Sequence, residues 1–349
     1  MFVIINNDDI FLTLSGDFPL VTRRFDCYLL GLNMLKLNKL LILLILLLFV
    51  SFNAFSQKNN KTSGQFLVVL GIAQDAGYPQ IGCERIDCIN AQKDRNARKL
   101  VVSLGLIDKK VKQKWLFEAT PDIGEQLFAL NSFLPSKSMI PDGIFLTHAH
   151  IGHYTGLMYL GREAAGASGI PVFAMPRMET FLTENAPWSQ LVSLKNIELR
   201  TMKNEESISL NSNLKVTPFL VPHRDEFSET VGFEIAGQNK TAVFIPDIDK
   251  WSKWNKDLKE LVKRVDYVLI DSTFYKNGEI PNRDMSEIPH PFVEETIEIL
   301  KDLSKADKSK VVFIHFNHTN PLIKKNSEER REVLKKGFKV ADEGFILEM

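Results

Sequence analysis

The chain has 349 residues with 43 basic and 43 acidic side chains, and 44% of it is hydrophobic. A neutral balance argues against a dedicated nucleic-acid binder, which would carry a basic surface. The length is enough to bury one large core or two small ones.

Met34 opens a short basic stretch, Leu40–Val50 is apolar, and Ala54 and Ser56 are small residues before Gln57. Those are the parts of a secretory signal peptide over 34–56. The alternative, a membrane anchor, needs ~20 apolar residues. Residues 1–33 place acidic side chains ahead of the apolar run and read as a non-native extension of the start. Residues 57–64 form a polar linker, and 65–349 a single domain. Export makes the protein periplasmic or secreted, with no stable membrane span after cleavage. In an oxidising compartment Cys83 and Cys88 are expected as a disulfide or as two free thiols. Half of a structural zinc site is the other reading, but no second cysteine pair accompanies them.

The apolar run Gln65–Ile72 predicts a buried strand, and a loop rich in Gly, Pro, Asp and Cys runs to Asn96. Strands are expected at 100–106 and 114–117, and a helix after Pro121 to Asn131. The strand ending at Leu146 precedes a helix over 154–165. A strand at 171–174 and a helix at 177–184 follow. Further strands are expected at 197–202, 215–221, 231–235, 241–245 and 267–271, with helices at 250–263 and 291–303. A strand at 310–315, a charged helix at 327–336 and a last strand at 344–347 complete the chain. Interleaved helices and strands predict a mixed α/β domain with two sheets between helices.

Residues 147–153 read Thr-His-Ala-His-Ile-Gly-His directly after the apolar run 143–146, so three of the seven histidines fall within six positions. Neutral imidazole is the commonest metal ligand. A strand ending in a tight loop can aim His148, His150 and His153 at one point. His223, Asp247, Asp271 and His315 each follow an apolar strand as well. Sites in α/β sheets lie outside the carboxyl ends of strands. Asp271 reads as an orienting residue and His290 as a loop or pocket-rim residue. His318 is open between ligand, neighbour and surface. Arg224 or Ser228 is a candidate substrate contact, with a solvated loop as the other reading. Trp251 and Trp254 read as core packing. A bound Zn²⁺ brings the pKa of its water toward ~7, which is why such a ligand set points to hydrolysis.

This ordered set resembles the metallo-β-lactamase superfamily. Its motif is His-x-His-x-Asp-His, followed by a lone His, a bridging Asp and a final His. His148, His150 and His153 match the first motif, His223 the next ligand, Asp247 the bridge and His315 the last. The resemblance implies a single-domain, four-layer αββα sandwich. It implies one metal position on His148, His150 and His223 and a second on His153, Asp247 and His315. Asp247 and His153 then carry the catalytic roles. One or two zinc ions are expected, with iron or manganese also suited. Gly71–Gln80 with Cys83, Ala119–Ile123 and Phe313–Pro321 resemble, more narrowly, the coenzyme PQQ synthesis protein B group.

The motif's Asp is Gly152 here. The second position is therefore expected to be weak, empty, or filled with help from His318 or Asp225. The function expected is that of an exported metal-dependent hydrolase. Its substrate would be a small molecule with an ester, lactone, amide or phosphodiester bond, and no nucleic-acid partner is expected. The rivals are a non-haem iron redox enzyme or PQQ-biosynthesis-type protein on the same fold, and a non-catalytic carrier. The leader sits awkwardly with coenzyme assembly, which is expected in the cytoplasm.

Overall fold

The computed structural model describes residues 2–6, 9–13, 64–136 and 138–349. The chain divides into two compact units, Met1–Lys61 and Thr62–Met349. In the first, β1 (Phe2–Asn6) and β2 (Asp9–Thr13) pair antiparallel. The assigned signal peptide, 34–56, lies outside the described residues. No helix among the described residues is long and apolar enough to cross a membrane.

The second unit carries two seven-stranded sheets. Its strands are β3 (Gln65–Gly71), β4 (Ser103–Asp108), β5 (Gln113–Phe117), β6 (Gly143–Phe145), β7 (Ile170–Ala174), β8 (Ile197–Thr201) and β9 (Ile208–Asn211). They continue with β10 (Leu214–Leu220), β11 (Val231–Ala236), β12 (Thr241–Ile245), β13 (Tyr267–Asp271), β14 (Val311–Ile314), β15 (Lys339–Val340) and β16 (Ile346–Glu348). One sheet runs β16-β3-β4-β5-β6-β7-β8 and the other β9-β10-β11-β12-β13-β14-β15. Each begins with three antiparallel ladders and continues with three parallel ones. The two halves therefore share one pairing plan, and the carboxyl ends of their parallel strands meet at one edge.

Strand alternation sorts the core into layers. Leu67, Val69, Trp115, Phe117 and Phe145 face the second sheet. Phe66, Val68, Leu116 and Ile144 face outward, against the helix Ile123–Phe133. Helices Leu258–Arg264, Val293–Ile299 and Glu328–Lys335 supply Val262, Val293 and Val333 to the core on the other side. The result is the αββα sandwich. At its centre Phe117, Phe145 and Phe173 stand in register on β5, β6 and β7. Their rings stack with centroids 5.0 and 4.3 Å apart. Phe233 of β11 meets two of them edge-on at 5.4 and 5.7 Å. Such geometries suit the ring quadrupole.

Several expected elements differ. The helix expected over 250–263 is a turn of 3-10 helix, Trp251–Lys253, followed by Leu258–Arg264. Asp257 starts the second piece by accepting from the backbone of Lys259 and Glu260, as N-caps do. Trp251 donates its ring N–H to Thr296, and Trp254 stacks on Phe219, so both pack in the core. The helix expected over 154–165 is the short Ile151–Tyr154 followed by 3-10 helix Thr155–Leu160. There the chain presses on Thr120: a Cβ at Gly156 would sit 2.0 Å from its carbonyl oxygen. Helices Ile86–Lys93 and Trp188–Ser193 and the edge strand β9 fall where no element was expected. Residues 100–102, expected as strand, instead bond to the backbone of Ile72 and Ala73.

Phe145→Ala should lower stability by ~3–5 kcal/mol in chemical denaturation, because it empties the centre of the aromatic stack. Phe128→Ala, at a ring 70% exposed, should shift stability by no more than ~0.5 kcal/mol.

Candidate metal centre

The two sheets deliver side chains to their shared edge. His148 and His150 follow β6, and His153 lies on the short helix behind them. His223 follows β10, Asp247 follows β12, Asp271 ends β13 and His315 follows β14. Asp75 follows β3 and Glu118 follows β5. Backbone bonds fix the histidine loop: Ala149 N donates to the buried Ser228 Oγ at 2.8 Å, and Val231 N to the Thr147 carbonyl at 3.2 Å. Ser228 thus ties one sheet's loop to the other sheet, its Oγ engaged by the Ala149 N–H and the Glu229 carbonyl.

Asp247, 4% exposed at its side chain, is the meeting point. Its Oδ2 lies 2.9 Å from His153 Nε2, 3.3 Å from His315 Nε2 and 3.8 Å from His148 Nε2. Its Oδ1 lies 3.7 Å from His223 Nε2. Meanwhile the outward nitrogens of four of the five rings face a polar group, while His223 Nδ1 has no hydrogen bond. His148 Nδ1 pairs with Thr147 Oγ1 at 2.9 Å, and His150 Nε2 with Glu226 at 3.3 Å. His153 Nδ1 is 3.4 Å from the buried Glu118 carboxylate. Thr273 Oγ1 donates to Asp271 at 2.7 Å and therefore accepts from His315 Nδ1 at 2.9 Å. That leaves His315 Nε2 as the inward lone pair. Metal-binding imidazoles are oriented by such bonds from the far nitrogen.

The inward His148 Nε2 and His150 Nδ1 pair with each other at 2.8 Å, and other inward atoms have no hydrogen bond. His153 Nε2, His223 Nε2, His315 Nε2, Asp247 Oδ2 and Asp75 Oδ1 are buried without a hydrogen bond. Leaving such groups unpaired costs ~1–3 kcal/mol each. Cations at two neighbouring positions would satisfy them. Ligand atoms of His148, His150 and His223 lie within 4.8 Å of one another. The same holds for Asp75, His153 and His315, and for His148, His153 and Asp247. A nitrogen and carboxylate set of this kind fits zinc, iron or manganese.

At His148, His223 and Asp247 the electrostatics agree with the fit, whereas at His153 a cation would have to displace a proton. Burial pulls His148 well below its ordinary value and His223 down to about 4, so both offer neutral nitrogens. Burial would raise Asp247, but His315, His153 and His148 hold it well below the carboxylate range. Burial opposes charge on His153 too, yet Glu118 and Asp247 hold it well above the usual imidazole value. His315 and Glu118 have left-handed backbone, with φ of 67° and 74°.

All six residues expected as ligands, His148, His150, His153, His223, Asp247 and His315, fall in these groups. The two suggested substitutes for the missing motif carboxylate do not. His318 groups with Cys83 and Cys88, and those cysteines are joined as a disulfide. Asp225 is exposed and accepts from Thr230 at 2.7 Å. Sequence reasoning missed Asp75, Glu118 and Thr273. His290, read as a loop or pocket-rim residue, lies in a loop and lines the cleft, but it is 4% exposed and donates from Nδ1 to Asp271 at 2.7 Å. Pro289 and Pro291 on either side of His290 gave no sign of that burial.

The site opens into a cleft of about 660 Å³, lined by Asp75, His290, Phe274 and three arginines, Arg85, Arg224 and Arg283.

The Beta-lactamase superfamily domain matches residues 114–316 of the chain. Coenzyme PQQ synthesis protein B of Pseudomonas putida strain KT2440 is 27% identical over 312 residues, covering 81% of this chain and all of that protein. The protein of that name from Gluconobacter oxydans strain 621H is 25% identical over 309 residues, covering 81% of this chain and 98% of its own. Among solved structures, Zn²⁺-bound PqqB from Methylobacterium extorquens superposes with a TM-score of 0.69 at 23% identity, covering 81% of this chain and 100% of that one. A diphosphatase from the PhnP family gives 0.58 at 24% identity, covering 82% and 97%. The chain belongs to the β-lactamase superfamily, has its metallo-β-lactamase fold, and resembles the coenzyme PQQ synthesis protein B group.

Proposed function

We infer that this protein is a metal-dependent hydrolase of small anionic substrates. One observation carries the reading: inward imidazole and carboxylate atoms without hydrogen bonds converge beside an open cleft whose wall includes Asp75 and His290. His148, His150 and His223 would hold one ion, and His153, Asp247 and His315 would belong to a second position. A divalent cation bound there supplies an activated water and polarises the bond to be cleaved. The chain's own groups do the rest. Thr147, Glu226, Glu118 and Thr273 keep the ring nitrogens aimed inward. Asp271 fixes the His290 ring at the cleft wall.

The arginines narrow the substrate class. Arg85, Arg224 and Arg283 reach the cleft from three different segments. Guanidinium forks suit phosphate and carboxylate. Among the bonds open to such a centre, a phosphodiester, or an ester or lactone bearing a carboxylate, fits this wall best. The zinc-bound and diphosphatase neighbours share the fold and suit the same reading. Zinc is the ion we propose, and the leader-like segment 34–56 supports export to the periplasm or beyond.

The resemblance to the coenzyme PQQ synthesis group favours a second reading, iron-based redox chemistry on the same ligands. Metal analysis of protein purified without chelator separates the two. Zinc with turnover of phosphodiesters or carboxylate esters supports the hydrolase, whereas iron with oxygen consumption supports the other. His148→Ala should lower metal content and cut turnover by ~10²-fold or more. Wild-type turnover in that variant would defeat the hydrolase. Arg224→Ala or Arg283→Ala should raise KM for anionic substrates by ~10-fold while sparing neutral esters. Equal effects on charged and neutral substrates would defeat the anion assignment.

A further inference from the structure

We propose that Asp75, on the loop after β3, supplies the carboxylate of the second metal position that the histidine motif lacks at Gly152. The proposal rests on the metal-centre reading above and goes beyond it by assigning a ligand from outside the motif. Three observations lead to it.

The first is steric. A Cβ built on Gly152 would lie 2.4 Å from Asp75 Oδ1, 2.5 Å from its Cα and 3.1 Å from its Cβ. The space a side chain at 152 would need is therefore occupied by Asp75, backbone included. Because one of the clashing atoms is a Cα, no rotamer change relieves it. Glycine at 152 and aspartate at 75 are two halves of one arrangement.

The second is direction. Asp75 Oδ1 lies 3.3 Å from His153 Nε2 and is buried without a hydrogen bond. It groups with His153 and His315, both 0% exposed, at ligand-to-ligand distances within 4.8 Å. Those are two of the three residues of the second position.

The third is anchoring. Gln74 N donates to the Phe316 carbonyl at 2.9 Å, and Phe316 N to the Ile72 carbonyl at 2.8 Å. Asn317 Nδ2 donates to Gln74 Oε1 at 2.6 Å. The loop carrying Asp75 is thus fastened to the segment that carries His315. A carboxylate placed this way is held as firmly as one on the motif helix.

The test is zinc stoichiometry, by calorimetric titration and by metal analysis after dialysis, on the full chain. The unaltered protein should take up about two ions, and Asp75→Asn, which keeps the side chain's size, about one. His148→Ala should also keep about one, and the double variant His148→Ala with Asp75→Asn close to none, since the two residues serve different positions. Gly152→Ala removes no donor atom, yet by displacing Asp75 it should lose the second ion as well. Near-UV circular dichroism confirms that each variant is folded. If Gly152→Ala does not fold, Asp75→Asn alone decides. Equal zinc uptake by the unaltered protein and Asp75→Asn would overturn the assignment while leaving the metal centre standing. No uptake by the unaltered protein would overturn the metal centre itself, and this assignment with it.

Discussion

One buried carboxylate governs this molecule. Asp247 has almost no access to water, and four imidazoles from three segments close around it. A lone ionised carboxylate in such a place would be costly by many kcal/mol. It is tolerable only because His148, His153, His223 and His315 share the same volume. Three of those rings, His148, His153 and His315, depend in turn on a partner behind them. The demand for compensation spreads from Asp247 through the rings to Thr147, Glu118, Thr273 and Asp271, and so into the ends of both sheets. Without this convergence the two halves would share a mainly apolar interface.

That interface explains why the centre can be so polar. Phe117, Phe145 and Phe173 lock three parallel strands in register just below the histidine loop. The strand ends above them are fixed by packing, so the polar groups need not supply the rigidity of the fold. Alternation along β3, β5 and β6 sends one set of side chains to the partner sheet and the other to the helices. The same pairing plan in each sheet brings the parallel strands' carboxyl ends together from both sides.

Much of this was legible in the sequence. The apolar runs at β12 and β13 matched their strands residue for residue, because short β-branched and aromatic runs leave little choice. The six residues expected as ligands from strand ends and motif order stand in clusters that could hold a metal ion. What could not be read was non-local or weakly patterned. Asp75 lies 78 positions before His153 in the chain, and no spacing rule links them. Glu118 and Thr273 act by supporting other side chains, which leaves no motif. The break at Asp257 turned on a single side chain bonding its own backbone. Helix Ile86–Lys93 buries only Cys88 and Ala91, too little for periodicity to reveal.

The left-handed backbone at His315 and Glu118 sets a bound on how this protein can evolve. Such a conformation costs a non-glycine residue ~1–2 kcal/mol. Glycine at either position would relieve that backbone strain. It would also delete an inward imidazole or the group that steers one. Backbone strain therefore pulls against chemistry at these two sites. A lineage that abandoned catalysis would be expected to drift first here, to glycine or asparagine, while the aromatic stack and the strand plan persisted.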